Sequence, residues 1–374
     1  MKIAAYVQMN RVYNPTGVGK HVINMLRCLH KMPGVELHMM TSTQFLRPDG
    51  TLPPENPLRD IPVTGIPIPQ KQLDLAWLTL GRPLADRWAG GADWIYCPTE
   101  MPVPTRRSRL AVTCHTLWWL EKGAPWSGDP RMSRERLKWR WRMAQIRRRA
   151  EAVFAVSEFL AQRVAELFSI KPERAAVVGN GVEPAYFHAA ETPRDTSQPP
   201  YLLVIGGLTE MKDGQAVLQL AELLAVRKTA MQIWVAGGCD AELGRRAAAT
   251  AGVRLLGYKS LAELPRLLRN AVALLMPSRG EAFGIPAAEA MAAGTPPIVS
   301  PWGALPEVVG DGGIILDKNA TAADIADIAL RLASDESYRS AIAQKGLERA
   351  KMFTWEKCAD RVLARLRGTD ANVC

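Results

Sequence analysis

Strand-like and helix-like segments alternate along almost the whole of this 374-residue chain. Parallel strands need a long crossover, and a helix supplies it, so such alternation points to parallel sheets covered by helices. In the first half, the runs at 2–8 (KIAAYVQ), 35–41, 93–97, 109–114 and 152–156 read as buried strands. Helical periodicity fills 19–32, 71–88, 132–150 and 157–168. Residues 42–70 are rich in proline and aperiodic, and read as one long irregular loop. ETPRDTSQPP at 191–200 has the composition of a linker. A second series follows, with strands at 201–206, 231–236, 253–256, 272–276 and 297–300. Its helices fall near 213–227, 240–250, 260–270 and 286–293, and helical segments at 321–334, 336–353 and 355–367 close the chain. Two α/β units of similar size predict a cleft where the carboxyl ends of their strands face one another.

Composition sets bounds. With 48% hydrophobic and 22% charged residues, the chain reads as an ordinary globular protein. MKIAAYVQMN opens directly into a strand pattern without a signal-type apolar run, and no window approaches 18 uninterrupted apolar residues. The six cysteines show no C-x-x-C, so reduced thiols in the cytoplasm are expected and a metal site is not. No G-x-G-x-x-G is present, which argues against a dehydrogenase on the same type of sheet.

RGEAFGIPAAEAMAAG, 279–294, carries the chemistry. Glu281 and Glu289 flank Phe-Gly-Ile-Pro. Pro286 suits the first helical position, where its missing N–H would be unpaired in any case. The amides of Gly284 and Ile285 then project from the positive end of a helix, ready for an anion or a polarised hydroxyl. Two glutamates on a helix are ordinarily solvated surface. Set around exposed amides, they make a pocket for a polyhydroxyl group bearing phosphate.

This segment resembles the donor-site signature of the retaining family-4 glycosyltransferases, which have the two-domain GT-B fold. The family's usual Glu-Gly-Phe-Gly is Glu281-Ala282-Phe283-Gly284 here. VSEF at 156–159, VVGNGVE at 177–183, GYKSLAELPRLLRNA at 257–271 and LPEVVGDGG at 305–313 also match in place and order, so the resemblance covers nearly the whole chain. It implies two Rossmann-like parallel-sheet domains facing across a cleft: 1–190 on the acceptor and membrane side, a linker at 191–200, and a nucleotide-sugar-binding domain at 201–354. A C-terminal helix, 355–374, is expected to cross back to the first domain.

The resemblance also implies roles. Glu289 should accept hydrogen bonds from ribose hydroxyls. Glu281 should contact a hydroxyl of the transferred sugar and support charge at its anomeric carbon. The amides of Phe283, Gly284 and Ile285 should address the sugar and diphosphate. Lys212, after a strand and before a helix that Asp213 can cap, occupies the position of the family's phosphate-binding lysine. Most relatives add an arginine five residues before that lysine or directly before it, where this chain has Gly207 and Met211. The missing charge-assisted contact is worth ~1.5–3 kcal/mol. Arg279, the Gly17–Gly19 loop amides or a basic group of the first domain are candidate substitutes. Gly17 and Gly19 let backbone approach phosphate or acceptor. His115 keeps the histidine of the family's His-Asp pair while Thr116 replaces the aspartate. It is expected to hydrogen-bond the sugar hydroxyls or the forming oxocarbenium.

Charge is uneven. Residues 131–149, RMSRERLKWRWRMAQIRRR, hold most of a basic excess confined to the first half. Arg134, Lys138, Arg142 and Arg149 form one helical stripe, Leu137, Trp141 and Ala144 a second, and Trp139, Met143 and Ile146 a third. Such a helix reads either as an element attracted to an anionic membrane surface, or as one packed on its own domain with solvated arginines. Nothing else in the chain supports nucleic-acid binding.

The combined expectation is a retaining, metal-independent hexosyltransferase without a resident cofactor, cytoplasmic and peripheral on the inner face of the plasma membrane. Its donor would be a nucleotide diphosphate sugar, GDP-mannose first. Its acceptor would be a glycan or a polyprenyl-diphosphate-linked glycan in cell-surface polysaccharide synthesis. The alternatives are a catalytically weak, membrane-associated partner subunit of the same fold, and a nucleotide-sugar epimerase.

Overall fold

A computed structural model describes residues 1–13, 16–117, 120 and 130–368, with backbone alone at 130–132. The chain divides into two compact units, Met1–Gly181 together with Trp355–Cys374, and Val182–Thr354.

In the first unit the described strands are β1 (Lys2–Tyr6), β2 (Glu36–Ser42), β3 (Val63–Ile66), β4 (Trp94–Cys97), β5 (Arg109–Cys114), β6 (Ala150–Ala155) and β7 (Ala175–Val177). They form one sheet in the order β3-β2-β1-β4-β5-β6-β7, and every pairing is parallel. Nearly every residue of β1, β4 and β5 is buried, as helices on both faces require. The stretch 42–70, expected as irregular loop, supplies β3, whose four residues run from Val63 opposite Met39 to Ile66 opposite Ser42. Prolines at 62 and 67 bound this strand, leaving too few residues to display a period. The helix expected over 71–88 spans Gln70–Thr79, because Gly81 turns into the left-handed region at φ 64° and Pro83 follows.

The helices Gly17–Lys31 and Trp355–Arg367 pack on one side of this sheet. Val22, Met25, Leu26 and Leu29 of one meet Trp355, Val362, Leu363 and Leu366 of the other in a shared core with Ile3, Met39 and Phe154. The indole of Trp94 donates to the carbonyl of Leu366 at 3.1 Å, tying the last helix to β4.

The second unit's described strands are β8 (Tyr201–Ile205), β9 (Gln232–Ala236), β10 (Val253–Gly257), β11 (Ala273–Met276), β12 (Pro297–Val299) and β13 (Ile314–Ile315). They align in the order β10-β9-β8-β11-β12-β13, again all parallel. The unit begins at Val182, ahead of the proline-rich stretch read as a linker. The helix Pro184–Ala190 lies against the helices Leu264–Asn270 and Ile285–Ala292, with Tyr186 buried. The Arg194 guanidinium donates to the carbonyls of Arg269, Asn270 and Ala271 at 3.2, 3.2 and 2.7 Å. Residues 191–200 are thus stitched to the second unit, not suspended between two.

Candidate functional site

In the second unit, the helix Ile285–Ala292 starts one residue before Pro286, which takes its second position. Gly284 is its N-cap at φ 90°, and a Cβ there would meet Leu305 Cδ2 at 2.5 Å, so only glycine fits. The Gly284 carbonyl accepts from Ala287 N at 2.9 Å. Just before this turn, Glu281 is held by its backbone: Ala304 N donates to its carbonyl at 2.8 Å, and Gly303 lies so close that any Cβ would collide with it. The Glu281 carboxylate accepts from Lys212 Nζ at 2.5 Å, both side chains being largely buried. Phe283 is buried edge-on to Phe353, with ring centroids 5.5 Å apart, and Ile285 is buried beside it in sequence. Glu289, 1% exposed, lies one turn into the helix. It stands beside Tyr186; burial first, then the charges of Glu289 and Glu183, push that phenol far above its ordinary range.

Lys212 enters from the turn after β8. Asp213, left-handed at φ 49°, caps the helix Gly214–Val226 and also accepts from Arg279 Nη2 at 3.3 Å. Arg279 N donates to the Met211 carbonyl at 3.0 Å, which draws the Arg279 and Lys212 loops together. Gly206 N and Gly207 N both donate to the Ala236 carbonyl, at 2.9 and 3.0 Å. Gly207 stands at φ 79°, and a Cβ there would collide with the Gly238 carbonyl. Backbone thus meets backbone at the position where the family that the sequence resembles usually carries an arginine.

In the first unit, β1, β4 and β5 lead into Gln8, Glu100 and His115, at the strand ends where open α/β sheets bind ligands. Buried His115 donates from Nε2–H to the Pro98 carbonyl at 2.9 Å. Its amide donates to the Glu100 carboxylate, as does Thr116 N at 3.3 Å. A carboxylate therefore stands near His115 although Thr116 replaces the expected aspartate. Burial lowers the His115 pKa, with Glu100 opposing, which favours the neutral ring. Gly17 and Gly19 are not in a free loop: they are the first and third residues of the helix Gly17–Lys31, Gly17 exposed and Gly19 buried.

Two family models match in tandem, "Glycosyltransferase Family 4" at residues 15–186 and "Glycosyl transferases group 1" at 190–349. The chain belongs to the family-4 glycosyltransferases. The chain is 29% identical over 233 residues to the O-antigen chain mannosyltransferase B of Escherichia coli, across 57% of this chain and 60% of that protein. It is 28% identical over 260 residues to a D-inositol 3-phosphate glycosyltransferase of Nocardioides sp., across 61% of this chain and 56% of that one. The chain thus spans less than two thirds of either relative's length. Among solved structures, Anabaena Alr3699/HepE in complex with UDP and glucose superposes with TM-score 0.73 at 18% identity, over 98% of this chain and 100% of that one. The fold is GT-B.

Within the second unit, the expected donor residues Lys212, Arg279, Glu281, Phe283, Gly284, Ile285 and Glu289 fall on three neighbouring segments. Sequence reasoning missed their supports: Gly303, Tyr186 and the paired glycines at 206–207 and 237–238. It also missed Asp74, which accepts from the Tyr6 hydroxyl at 2.5 Å and Gln8 Nε2 at 2.6 Å, and whose pKa burial raises. No local signal marks any of these, because each acts through a partner distant in sequence.

The basic helix spans Pro130–Arg149. Trp139, Met143 and Ile146 are buried, whereas Leu137 and Trp141 are 72% and 50% exposed. The Trp141 indole donates to the Leu78 carbonyl at 2.9 Å, beside exposed Leu75 and Leu80. Arg149 turns inward to the carbonyls of Trp77 and Pro102, at 3.1 and 2.7 Å, while Arg134 and Lys138 stay exposed. Among the described residues no helix is long and apolar enough to cross a membrane.

Proposed function

We propose that this enzyme transfers a hexose, with retention and without a metal, from a nucleotide diphosphate sugar to a glycan or polyprenyl-diphosphate-linked acceptor. The observation that carries the reading is the convergence of Lys212 on Glu281 beside the amide end of the helix bearing Glu289. A cation, a carboxylate and open amides suit a sugar diphosphate: donors for the departing diphosphate, acceptors for hydroxyls, negative charge near a developing oxocarbenium. Lys212 has two further N–H donors for phosphate. Glu281 contacts a sugar hydroxyl, and Glu289 takes the ribose hydroxyls. Arg279, tied to Met211, takes over the phosphate contact that relatives assign to an arginine. His115 presents Nδ1 as an acceptor to a sugar hydroxyl, and the Gly17 and Gly19 backbone offers close approach. Mannose from GDP-mannose is the first candidate, supported by the similarity to the mannosyltransferase of Escherichia coli.

A thermal-shift panel of nucleotide sugars tests the donor. Turnover of GDP-mannose in EDTA, with the product's anomeric configuration read by NMR, tests retention and metal independence. Inverted product or EDTA-abolished turnover would overturn those parts.

Membrane association on the cytoplasmic face is part of the reading. Leu137, Trp141, Leu75 and Leu80 form an exposed apolar set, and Arg134 and Lys138 supply positive charge next to it. Shallow insertion into anionic lipid satisfies both.

The second reading, a catalytically weak partner subunit, is favoured by Gly207, where backbone contact leaves no room for the usual arginine. Tight donor binding without measurable turnover would select it.

A further inference from the structure

His21 is fully buried on the helix Gly17–Lys31, its ring nearly perpendicular to that of His115 with centroids 4.6 Å apart. Its Nδ1–H donates to Asn180 Oδ1 at 2.8 Å, and Nε2 has no partner among the described residues. The Trp355 indole stands edge-on to it at 5.8 Å. Asn180 is fixed in turn. Gly179 is left-handed at φ 78°, and a Cβ on Gly181 would meet Trp355 N at 2.5 Å, so this loop is pressed against the start of the last helix.

Among the described residues His115 has one polar ring contact, the bond from Nε2–H to Pro98. That bond selects the tautomer and leaves Nδ1 as the acceptor. It does not by itself fix the plane of the ring, which turns about the same bond unless a neighbour blocks it. The neighbour is His21. We infer that His21, anchored by Asn180, is a positioning residue for His115, setting the direction in which His115 Nδ1 accepts a hydrogen bond. The inference rests on the role proposed above for His115 toward the transferred sugar.

The chemistry suits a histidine here. A phenylalanine would fill the space but leave the Asn180 oxygen buried without a donor. A charged ring is disfavoured: burial, and then His115, hold the His21 pKa well below its ordinary value, with only the Asn180 bond opposing. Among the described residues the charged groups facing the pair are Glu100 and Arg11, both acting on His115, and Lys20 adjoins His21 on its helix.

Nitrogen-15 NMR of histidine-labelled full-length protein tests this without any donor. In the wild type His21 should show the Nδ1–H tautomer and His115 the Nε2–H tautomer, both gaining charge only at lower pH than an ordinary histidine. Asn180→Asp keeps the shape and gives His21 an anionic partner. As pH falls His21 should then gain charge, and the His115 ring signals should move in step. His21→Phe should keep the His115 Nε2–H tautomer that Pro98 selects, while the His115 ring signals shift and broaden as the ring loses its fixed plane. In parallel, kcat on GDP-mannose should drop roughly tenfold or more in both variants with KM within about twofold, the mark of lost alignment rather than lost binding. Unchanged His115 ring signals in both variants would overturn the inference. Wild-type turnover by His115→Ala would sink the role of His115 and this inference together. An inactive His115→Ala beside normal His21→Phe and Asn180→Asp would sink this inference alone.

Discussion

Lys212 Nζ and Glu281 Oε1 lie 2.5 Å apart although 69 positions separate them. Neither group is placed by its own segment alone, since the turn after β8 brings the ammonium and the loop after β11 brings the carboxylate. If both serve transfer, Lys212→Met should lower kcat on GDP-mannose by about 100-fold or more, the cost of one lost donor to developing charge. It should also destabilise the fold by ~1–3 kcal/mol, because Glu281 is left without its partner. A double-mutant cycle with Glu281→Gln checks the pairing. Strict additivity in melting temperature would show that the two do not cooperate.

Glu289 should govern donor affinity. At a donor concentration of about 100 Kd, ligand binding adds ~2.7 kcal/mol of apparent stability, a clear thermal shift. Glu289→Ala should abolish that shift for every nucleotide sugar that gives one. A retained shift would place the nucleotide elsewhere.

Restoring the arginine that relatives carry should fail. Gly207→Arg forces a side chain into a left-handed residue pressed on the Gly238 carbonyl. Strain of ~1–3 kcal/mol from the backbone alone, with the collision added, should lower the melting temperature by roughly 5 °C or more without raising turnover. A stable, faster Gly207→Arg enzyme would mean that the 206–207 turn rearranges easily.

Stability should depend on pH through the two buried histidines. His21 and His115 both have pKa values lowered from the ordinary 6.5 by burial. The unfolded chain therefore binds protons that the folded one refuses. Stability from this source is full above that value and declines as pH falls below it toward the folded pKa values, by up to ~1.4 kcal/mol per pH unit for each group. Melting curves across this range should show the decline, and His21→Phe should make it shallower. An identical slope in that variant would exclude His21 as a source.

Membrane docking should respond to charge and to apolar surface separately. Sedimentation with phosphatidylserine vesicles at low salt should carry the wild type down, at about 1 kcal/mol per engaged cation. Arg134→Glu with Lys138→Glu, and Leu137→Ala with Trp141→Ala, should each leave protein in the supernatant. Equal pelleting of all three would assign this helix to the fold alone.

The donor segment was legible because it is local: Glu281, the Phe-Gly-Ile-Pro turn and Glu289 are read from adjacent residues, and each strand of the central sheet announces itself as a buried apolar run. Short edge strands were not. β3 and β13 have four and two residues, too few for a period, and they exist because a neighbouring strand offers hydrogen bonds. The 191–200 stretch has a linker's composition, yet Arg194 anchors it through three carbonyls that composition cannot reveal. His21 carries no sequence signal of its own, being one residue within the helical pattern at 19–32. Its meaning depends on Asn180, 159 positions away, and on His115.

The last helix bears on how this gene can be cut. Trp355, Val362, Leu363 and Leu366 each contribute ~1.5–3 kcal/mol by burial in the core of the N-terminal unit, a total comparable to the ~5–15 kcal/mol that keeps a whole domain folded. A fragment stopping at Gly181 would expose that greasy seam to water and should precipitate during expression. Joining residues 355–368 to it through a flexible tether should yield a well-behaved half-molecule.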